Sequence, residues 1–377
     1  MRCLVFWPFY FHHLQQSFPM RYLIFCLWGL CVSGLAMANP VDWHPQDTMA
    51  PGQWTLTATS THFNAGLDFT QGRDKSPTLR GTKSGDYRGN ALSLSWQFHP
   101  RWAMRASSLG RVLEDVSDQY QIRAWEASVW TQQPLQWLGS EMGFARLSAW
   151  GNQADGLQSS TSKTVGEVVL TQSKIIQPRD QTLALQGGLT WSSSPAWKYH
   201  ADVGLGWTEL KYQDFQANGL NNGCEYQLQI MGADVVGTRI DPCAVAGAAN
   251  EFISPLTTYG LDLQKELAWT ARFVSWGAGL QWTNGWGRWR ASVNSQTWQR
   301  NGVDDIIAKR NSTPVVQQLN VRTEWMYPVS VKIQPFVGFD YFSSFLLHDL
   351  PMLYNSGTSA NFSNTYSQFR AGLKIFF

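Results

Sequence analysis

The sequence predicts an all-β fold, an antiparallel β-barrel of about twelve strands with long loops at one end and short turns at the other. Three observations lead to this prediction. Apolar and polar residues alternate with a period of two, short turns and long polar segments alternate along the chain, and aromatic residues flank the short turns. A period of two is typical of strands that have one apolar and one polar face.

The strands are predicted from this alternation, which is clearest over the last nine residues. One segment, 257–282, changes the parity of its apolar positions between Phe273 and Val274, which indicates a bulge or an extra tight hairpin. Counts of twelve and fourteen strands therefore both stay open. In chain order the predicted strands are 53–69, 87–99, 102–113, 120–132, 137–150, 182–192, 197–211, 257–282, 288–300, 315–327, 329–341 and 369–377.

The connections fall into two alternating classes. The short class contains turn residues such as Pro100, Pro134, Pro195, Asn284-Gly285 and Pro328. The long class is polar and covers 70–86, 112–118, 151–180, 212–256, 301–313 and 344–364, and we predict no helix in it. Two unequal ends are typical of a transmembrane barrel, which has short periplasmic turns and long extracellular loops.

Large aromatic side chains occur on both sides of the predicted short turns. Trp96 and Trp102 flank Pro100, and Trp191 and Trp197 flank Pro195. At a bilayer interface such a ring is partly buried while its polar edge stays wet. A Trp-rich soluble β-domain is the alternative, but nothing in that fold requires the rings to gather at one end.

The first 38 residues have the pattern of a secretory signal peptide. Met20-Arg21 precedes an apolar run over 22–35, and Ala36-Met37-Ala38 has the form of a cleavage site. We therefore predict that Met20 is the true start and that the mature chain, 39–377, is a single barrel domain.

Cys224 and Cys243 are the two cysteines that stay after the leader is removed. In an oxidising compartment we expect a disulfide bond between them. The loop that contains them, 212–256, would either enter the lumen or cover the mouth, or it would only be protected from proteolysis. The sequence does not decide between these roles.

The C-terminal stretch 369–377 has alternating apolar residues and ends in phenylalanine. In this feature the sequence resembles the Gram-negative outer-membrane β-barrel proteins, a porin-like superfamily. The resemblance implies that Phe369, Leu373, Ile375 and Phe377 form the insertion signal. It also implies a location in the cell outer membrane, with the lipid bilayer, lipopolysaccharide and the barrel-assembly machinery as partners.

Charged residues on the polar faces of the strands are predicted to point into the lumen, because a charge that faces lipid costs about 2–4 kcal/mol near the midplane. Bases dominate one predicted wall, where only Glu324 and Asp340 oppose them. The wall would make the lumen prefer anions, or its charges would form a neutralised structural network. The wall consists of Arg288, Arg290, Arg322, Lys332, Arg370 and Lys374, and the other inward predictions are Arg101, Arg105, Arg300, Glu126 and Asp202.

Other function classes find little support. The 29 basic and 27 acidic residues nearly cancel, which argues against a nucleic-acid partner. Neither metal-ligand spacing nor a cofactor motif is visible, so we predict no metal and no cofactor. Asp304-Asp305 and His348-Asp349 resemble a hydrolase site, but adjacent strand residues point to opposite faces, which favours solvated loop charges.

These observations predict a passive, porin-like channel for small hydrophilic solutes, with anions preferred. The alternative is a non-transporting barrel that serves as the outer-membrane partner of a surface assembly or secretion system. An outer-membrane hydrolase is the third hypothesis.

Overall fold

The structure of the 377-residue chain is a computed structural model. The structure describes residues 50–63, 86–115, 118–160, 163–165, 168–240, 243, 245, 248–259, 261–344, 350–359 and 365–377. The predicted signal peptide lies outside these residues and stays a prediction. Among the described helices, none has the length and apolar character needed to cross a membrane.

Strands dominate the described residues, and two short helices accompany them. The prediction that the long connections contain no helix is therefore wrong, because Val303–Lys309 of the connection 301–313 is helical. The helices are α1 (Leu263–Leu267) and α2 (Val303–Lys309), and 3-10 turns occupy Leu256–Tyr259 and Pro351–Leu353. The strands are β1 (Trp54–Phe63), β2 (Tyr87–His99), β3 (Trp102–Asp115), β4 (Asp118–Pro134), β5 (Met142–Ala154), β6 (Gly156–Ser159), β7 (Lys163–Val165), β8 (Val168–Ile176), β9 (Arg179–Ser194), β10 (Trp197–Lys211), β11 (Asp214–Asn221), β12 (Cys224–Met231), β13 (Asp234–Arg239), β14 (Glu251–Pro255), β15 (Thr270–Asn284), β16 (Gly287–Arg300), β17 (Gln317–Met326), β18 (Ile333–Phe342) and β19 (Tyr366–Phe376).

Twelve of these strands form one closed antiparallel barrel, which confirms the predicted fold class and strand count. The order around the barrel is β1-β19-β18-β17-β16-β15-β10-β9-β5-β4-β3-β2. The first and last strands close it, since Thr55 pairs with Phe376 and His62 with Phe369. Closure leaves no unpaired edge, which is the condition for a sheet that spans a bilayer. The chain therefore has the architecture of a membrane-spanning β-barrel.

The outer face of the barrel is apolar and carries aromatic pairs at the end with short turns. Trp54 stacks on Trp96 with ring centroids 4.8 Å apart, and Trp197 stacks on Trp282 at 5.6 Å. Trp130, which precedes the predicted short turn at Pro134, does not belong to such a belt, because it faces the barrel interior and is buried. The aromatic belt therefore consists of the aromatic residues at the outward-facing positions of the strands.

The predicted strand 257–282 is wrong in its first half. Residues before Thr270 form a 3-10 turn and α1, and β15 begins only at Thr270. The predicted bulge is also wrong, because β15 pairs with β10 and β16 in unbroken register. The parity change has another cause: Phe273 points inward and is 3% exposed, whereas Val274 faces outward and is 57% exposed.

The predicted long loops 151–180 and 212–256 contain strands of their own. Strands β6, β8, β11, β12, β13 and β14 form a second sheet in the order β14-β13-β12-β11-β8-β6, and β7 pairs with β8. One face of this sheet packs on its own apolar core, which includes Ala217, Tyr226, Leu228 and Val235. Cys224 and Cys243 are joined in that core, so the predicted disulfide is confirmed.

Deleting Phe377 is expected to impair barrel insertion. Phe377 follows β19 on the outward parity, and its backbone exchanges hydrogen bonds with Trp54 of β1 at 3.0 and 3.4 Å. Its loss removes both the terminal apolar residue and one step of the closing ladder. The measurement is the heat-modifiable fraction in outer membranes. Truncation that leaves this fraction unchanged would contradict the assigned insertion signal of Phe369, Leu373, Ile375 and Phe377.

Candidate functional site: the barrel lumen

Four strands, β16 to β19, bring an ion-pair network to one side of the lumen. Glu324 of β17 lies at its centre, because three bases from neighbouring strands point at the same carboxylate. The Arg290, Arg370 and Lys374 nitrogens lie 3.6, 3.4 and 3.5 Å from its oxygens. All four side chains are buried. One carboxylate therefore serves three cations, which leaves positive charge in excess.

A second carboxylate extends this network toward the extracellular end. Asp340 of β18 lies 2.9 Å from Arg322 Nε and 2.8 Å from Arg370 Nε. Arg370 approaches Asp340 Oδ2, and Gln368 of β19 donates a hydrogen bond to the same oxygen at 2.9 Å. Strand register explains the convergence, since Arg322 is directly opposite Asp340. Arg370 thus bridges both carboxylates and joins them into one network.

Five of the six predicted wall residues lie on the inward parity of the barrel strands. Arg290, Arg370 and Lys374 are buried, while Arg288 and Arg322 are partly exposed. The sixth, Lys332, is a correction: it lies in the exposed turn before β18, because that strand begins at Ile333 and not at 329. Five bases against Glu324 and Asp340 leave a surplus of three charges, one fewer than the sequence predicts.

The opposite wall carries a second set of polar side chains, from β2, β3, β4, β5, β9 and β10. Arg146 Nη2 lies 2.5 Å from Glu126 Oε1, and Gln186 donates to Asp202 at 2.7 Å. Arg105 is buried and donates to Ser95 Oγ at 3.1 Å. The inward positions predicted for Arg105, Glu126 and Asp202 are therefore found.

Arg101 and Arg146 show where the sequence-based assignment failed on this wall. Arg101 is in the turn between β2 and β3, exposed, and donates to Gln133 at 2.9 Å. The sequence-based assignment did not place Arg146 in the lumen. The signal for its inward position is its even-numbered place on β5, which it shares with the buried Ser148 and Asn152.

Gly277 and Gly279 lie where the side chains of Asp202 and His200 approach the inner face of the barrel wall. A Cβ at Gly279 would come 2.3 Å from His200 Cε1, and one at Gly277 would come 2.8 Å from Asp202 Oδ2. These distances are too short for real contacts. Both glycines are therefore positions where only a residue without a Cβ fits the wall.

An apolar core crosses the extracellular end of the barrel. Strands contribute inward side chains such as Trp150, Phe273 and Trp298, and the Phe273 and Trp298 rings are 4.9 Å apart. Two extracellular connections complete it: α2 with its buried Val303 and Ile307, and the segment 350–354. In this structure packed side chains therefore occupy the lumen at its outer end.

Polar contacts fix the 350–354 segment in place. Met352 N donates to Asp180 Oδ2 at 3.2 Å, and Trp269 Nε1 donates to the Tyr354 carbonyl at 3.0 Å. Burial raises the pKa of the Tyr354 hydroxyl, which therefore stays protonated at neutral pH. The Tyr354 ring also lies 4.2 Å below the Arg300 guanidinium.

Arg300 links the same segment to α2. Its Nη1 lies 3.2 Å from Asp304 Oδ1 and donates to the Val315 carbonyl at 2.9 Å. We call α2 and residues 350–354 together the lid.

The candidate hydrolase residues do not form a described site. Asp304 is engaged by Arg300, Asp305 is exposed on α2, and His348-Asp349 lies outside the described residues. Within the part of the chain that the structure describes, no group of three or more His, Cys, Asp or Glu side chains could hold a metal ion.

No protein-family model matches the sequence, and no curated protein matches it. Solved barrels are similar in structure over most of the chain. The translocator domain of the autotransporter NalP from Neisseria meningitidis is 10% identical, with a TM-score of 0.44 over 87% of this chain and 90% of that one. The CymD monoaromatic hydrocarbon channel is 12% identical, with a TM-score of 0.37 over 87% and 88%. A KdgM porin in complex with disordered oligogalacturonate is 8% identical, with a TM-score of 0.32 over 86% and 98%. Likenesses this distant do not indicate what this barrel carries.

Proposed function

We propose that this protein is an outer-membrane channel for small hydrophilic solutes that prefers anions and opens when the lid leaves the mouth. The surplus of bases on the β16–β19 wall carries this proposal. Fixed charges of one sign in a low-dielectric channel concentrate the opposite ion and repel like ions. The ion pairs to Glu324 and Asp340 reduce this surplus but do not cancel it.

A salt-gradient reversal potential in planar bilayers tests the proposal. The mature protein is expected to show anion preference whenever it conducts. Replacing Arg288 and Arg290 by Glu changes the wall charge by four units and should shift selectivity toward cations. The control is Arg101→Glu, since Arg101 lies in an exposed turn away from the wall.

A second candidate function is a barrel that partners a surface assembly and transports nothing itself. The observation that favours it is the extracellular sheet, which has its own core and ends in β14, a strand paired only with β13 among the described strands. A protein that stays non-conducting even with the lid displaced would favour this candidate over a channel. Cation preference would contradict the anion channel. A hydrolase stays third.

A further inference from the structure

Arg300 of β16 carries a buried guanidinium group whose hydrogen-bond donors are only partly used. Its side chain is 0% exposed, and Nη1 contacts both Asp304 of the lid and the Val315 carbonyl. The Nε and Nη2 atoms have no hydrogen-bond partner among the residues that the structure describes. These two atoms form the edge of a guanidinium that binds a carboxylate through two parallel hydrogen bonds. Because a buried donor without a partner is costly, an anion at this edge would be stabilised.

Aromatic rings surround the same guanidinium. Its Cζ lies 5.6 Å from the Trp269 ring centroid, 5.3 Å from that of Trp298 and 4.2 Å from that of Tyr354. All three rings belong to the apolar core at this end of the barrel. An anion that pairs with Arg300 brings its organic part next to these rings. A planar apolar body is favoured there over a hydroxylated one, whose polar groups would lose water without gaining partners.

The lid places oxygen acceptors on the barrel donors of this site. Asp304 Oδ1 and Oδ2 lie 3.2 and 3.4 Å from Arg300 Nη1. The Tyr354 carbonyl accepts a hydrogen bond from Trp269 Nε1 at 3.0 Å. Arg300 and Trp269 lie outside the lid, at the end of β16 and directly before β15, so they stay at the mouth when the lid leaves. The lid therefore offers this site the oxygen atoms that a bound carboxylate would offer.

We propose that Arg300, Trp269 and Trp298 bind a solute carboxylate carried on a planar apolar body, and that Asp304 is its internal competitor. The inference rests on the proposed function, because the solute reaches Arg300 as the lid leaves the mouth. Its carboxylate binds the Nε–Nη2 edge of Arg300, and its ring packs on Trp298. Since the solute and Asp304 compete for one cation, the solute favours the state in which the lid has left.

Isothermal titration calorimetry of the folded mature protein in detergent tests the site without any measurement of conductance. The probes are benzoate, its neutral isostere benzamide, acetate and glucuronate. We expect benzoate to bind most tightly, because it alone combines a carboxylate with a planar apolar ring. Arg300→Lys keeps the positive charge but lacks the guanidinium fork, so it should weaken benzoate binding about tenfold.

Asp304→Asn distinguishes a lost site from a lost fold, because it should strengthen binding. Removing the competing carboxylate raises the population of the state that binds benzoate, and the affinity should rise about tenfold. Asp305→Asn is the matched control, since it removes the same charge from an exposed position of the same helix. Heat-modifiable migration of each variant establishes that the barrel is folded.

Benzamide, acetate or glucuronate binding at least as tightly as benzoate would overturn the inference. Unchanged affinity in Arg300→Lys, or equal affinity in Asp304→Asn and Asp305→Asn, would have the same consequence. A barrel that binds benzoate in the expected pattern but prefers cations in bilayers would contradict only the channel proposal. An anion-selective barrel that does not bind benzoate would contradict only the site.

Discussion

Ile307→Asp is expected to displace the lid and to raise the conductance of the reconstituted barrel. Ile307 is fully buried in the apolar core at the extracellular end, on the face of α2 that points into the mouth. A carboxylate cannot stay there, because burying it without a partner costs about 3 kcal/mol or more. Since about 1.4 kcal/mol corresponds to a tenfold change in an equilibrium, the open fraction should rise about a hundredfold.

Ala308→Asp is the matched control, because the next residue of the same helix is exposed and its carboxylate would stay in water. Both variants add one carboxylate to α2, but only Ile307→Asp places it in the core. Heat-modifiable migration of both proteins establishes that the barrel is intact. Equal conductance in Ile307→Asp, Ala308→Asp and the parent would show that α2 does not close the pathway, and it would weaken the channel proposal.

The strands of the barrel could be predicted from the sequence because their pattern is local. Each strand shows its two faces within about ten residues, and each short turn carries its own turn residues. The ends of strands are less well determined. Lys332 has the inward parity of β18, but parity alone does not show that the strand begins at Ile333, so the residue was placed on the wall when it lies in a turn.

The lid could not be predicted because its evidence is non-local. A barrel interior is expected to be polar, so the inward Phe273 appeared as a change of parity in its strand, and nothing in the sequence marked Trp298 as part of an apolar core. They are apolar because α2 and the 350–354 segment pack on them. The extracellular sheet differs, since Tyr226 and Leu228 alternate with Gln227 and Gln229 in the sequence. Its period-two signal was present but was assigned to a polar loop.

Glu324→Gln is expected to lower the stability of the barrel by about 3 kcal/mol, because breaking a buried ion pair leaves uncompensated charge behind. Here Arg290, Arg370 and Lys374 all lie within 3.6 Å of the carboxylate that is removed. The measurement is the urea midpoint in lipid vesicles, followed by tryptophan fluorescence. Glu251→Gln, an exposed charge removal on β14, should change the stability by less than about 0.5 kcal/mol.

The same variant distinguishes a packed network from a hydrated wall. If the three bases are packed around Glu324, its loss destabilises the fold. If water fills the lumen, screening makes each pair worth no more than about 1 kcal/mol, and the midpoint should hardly move. In both cases removing a negative charge leaves a larger base surplus, so the reversal potential of any conducting state should move further toward anions. A shift toward cations would contradict the assignment of Glu324 to the wall that selects the solute.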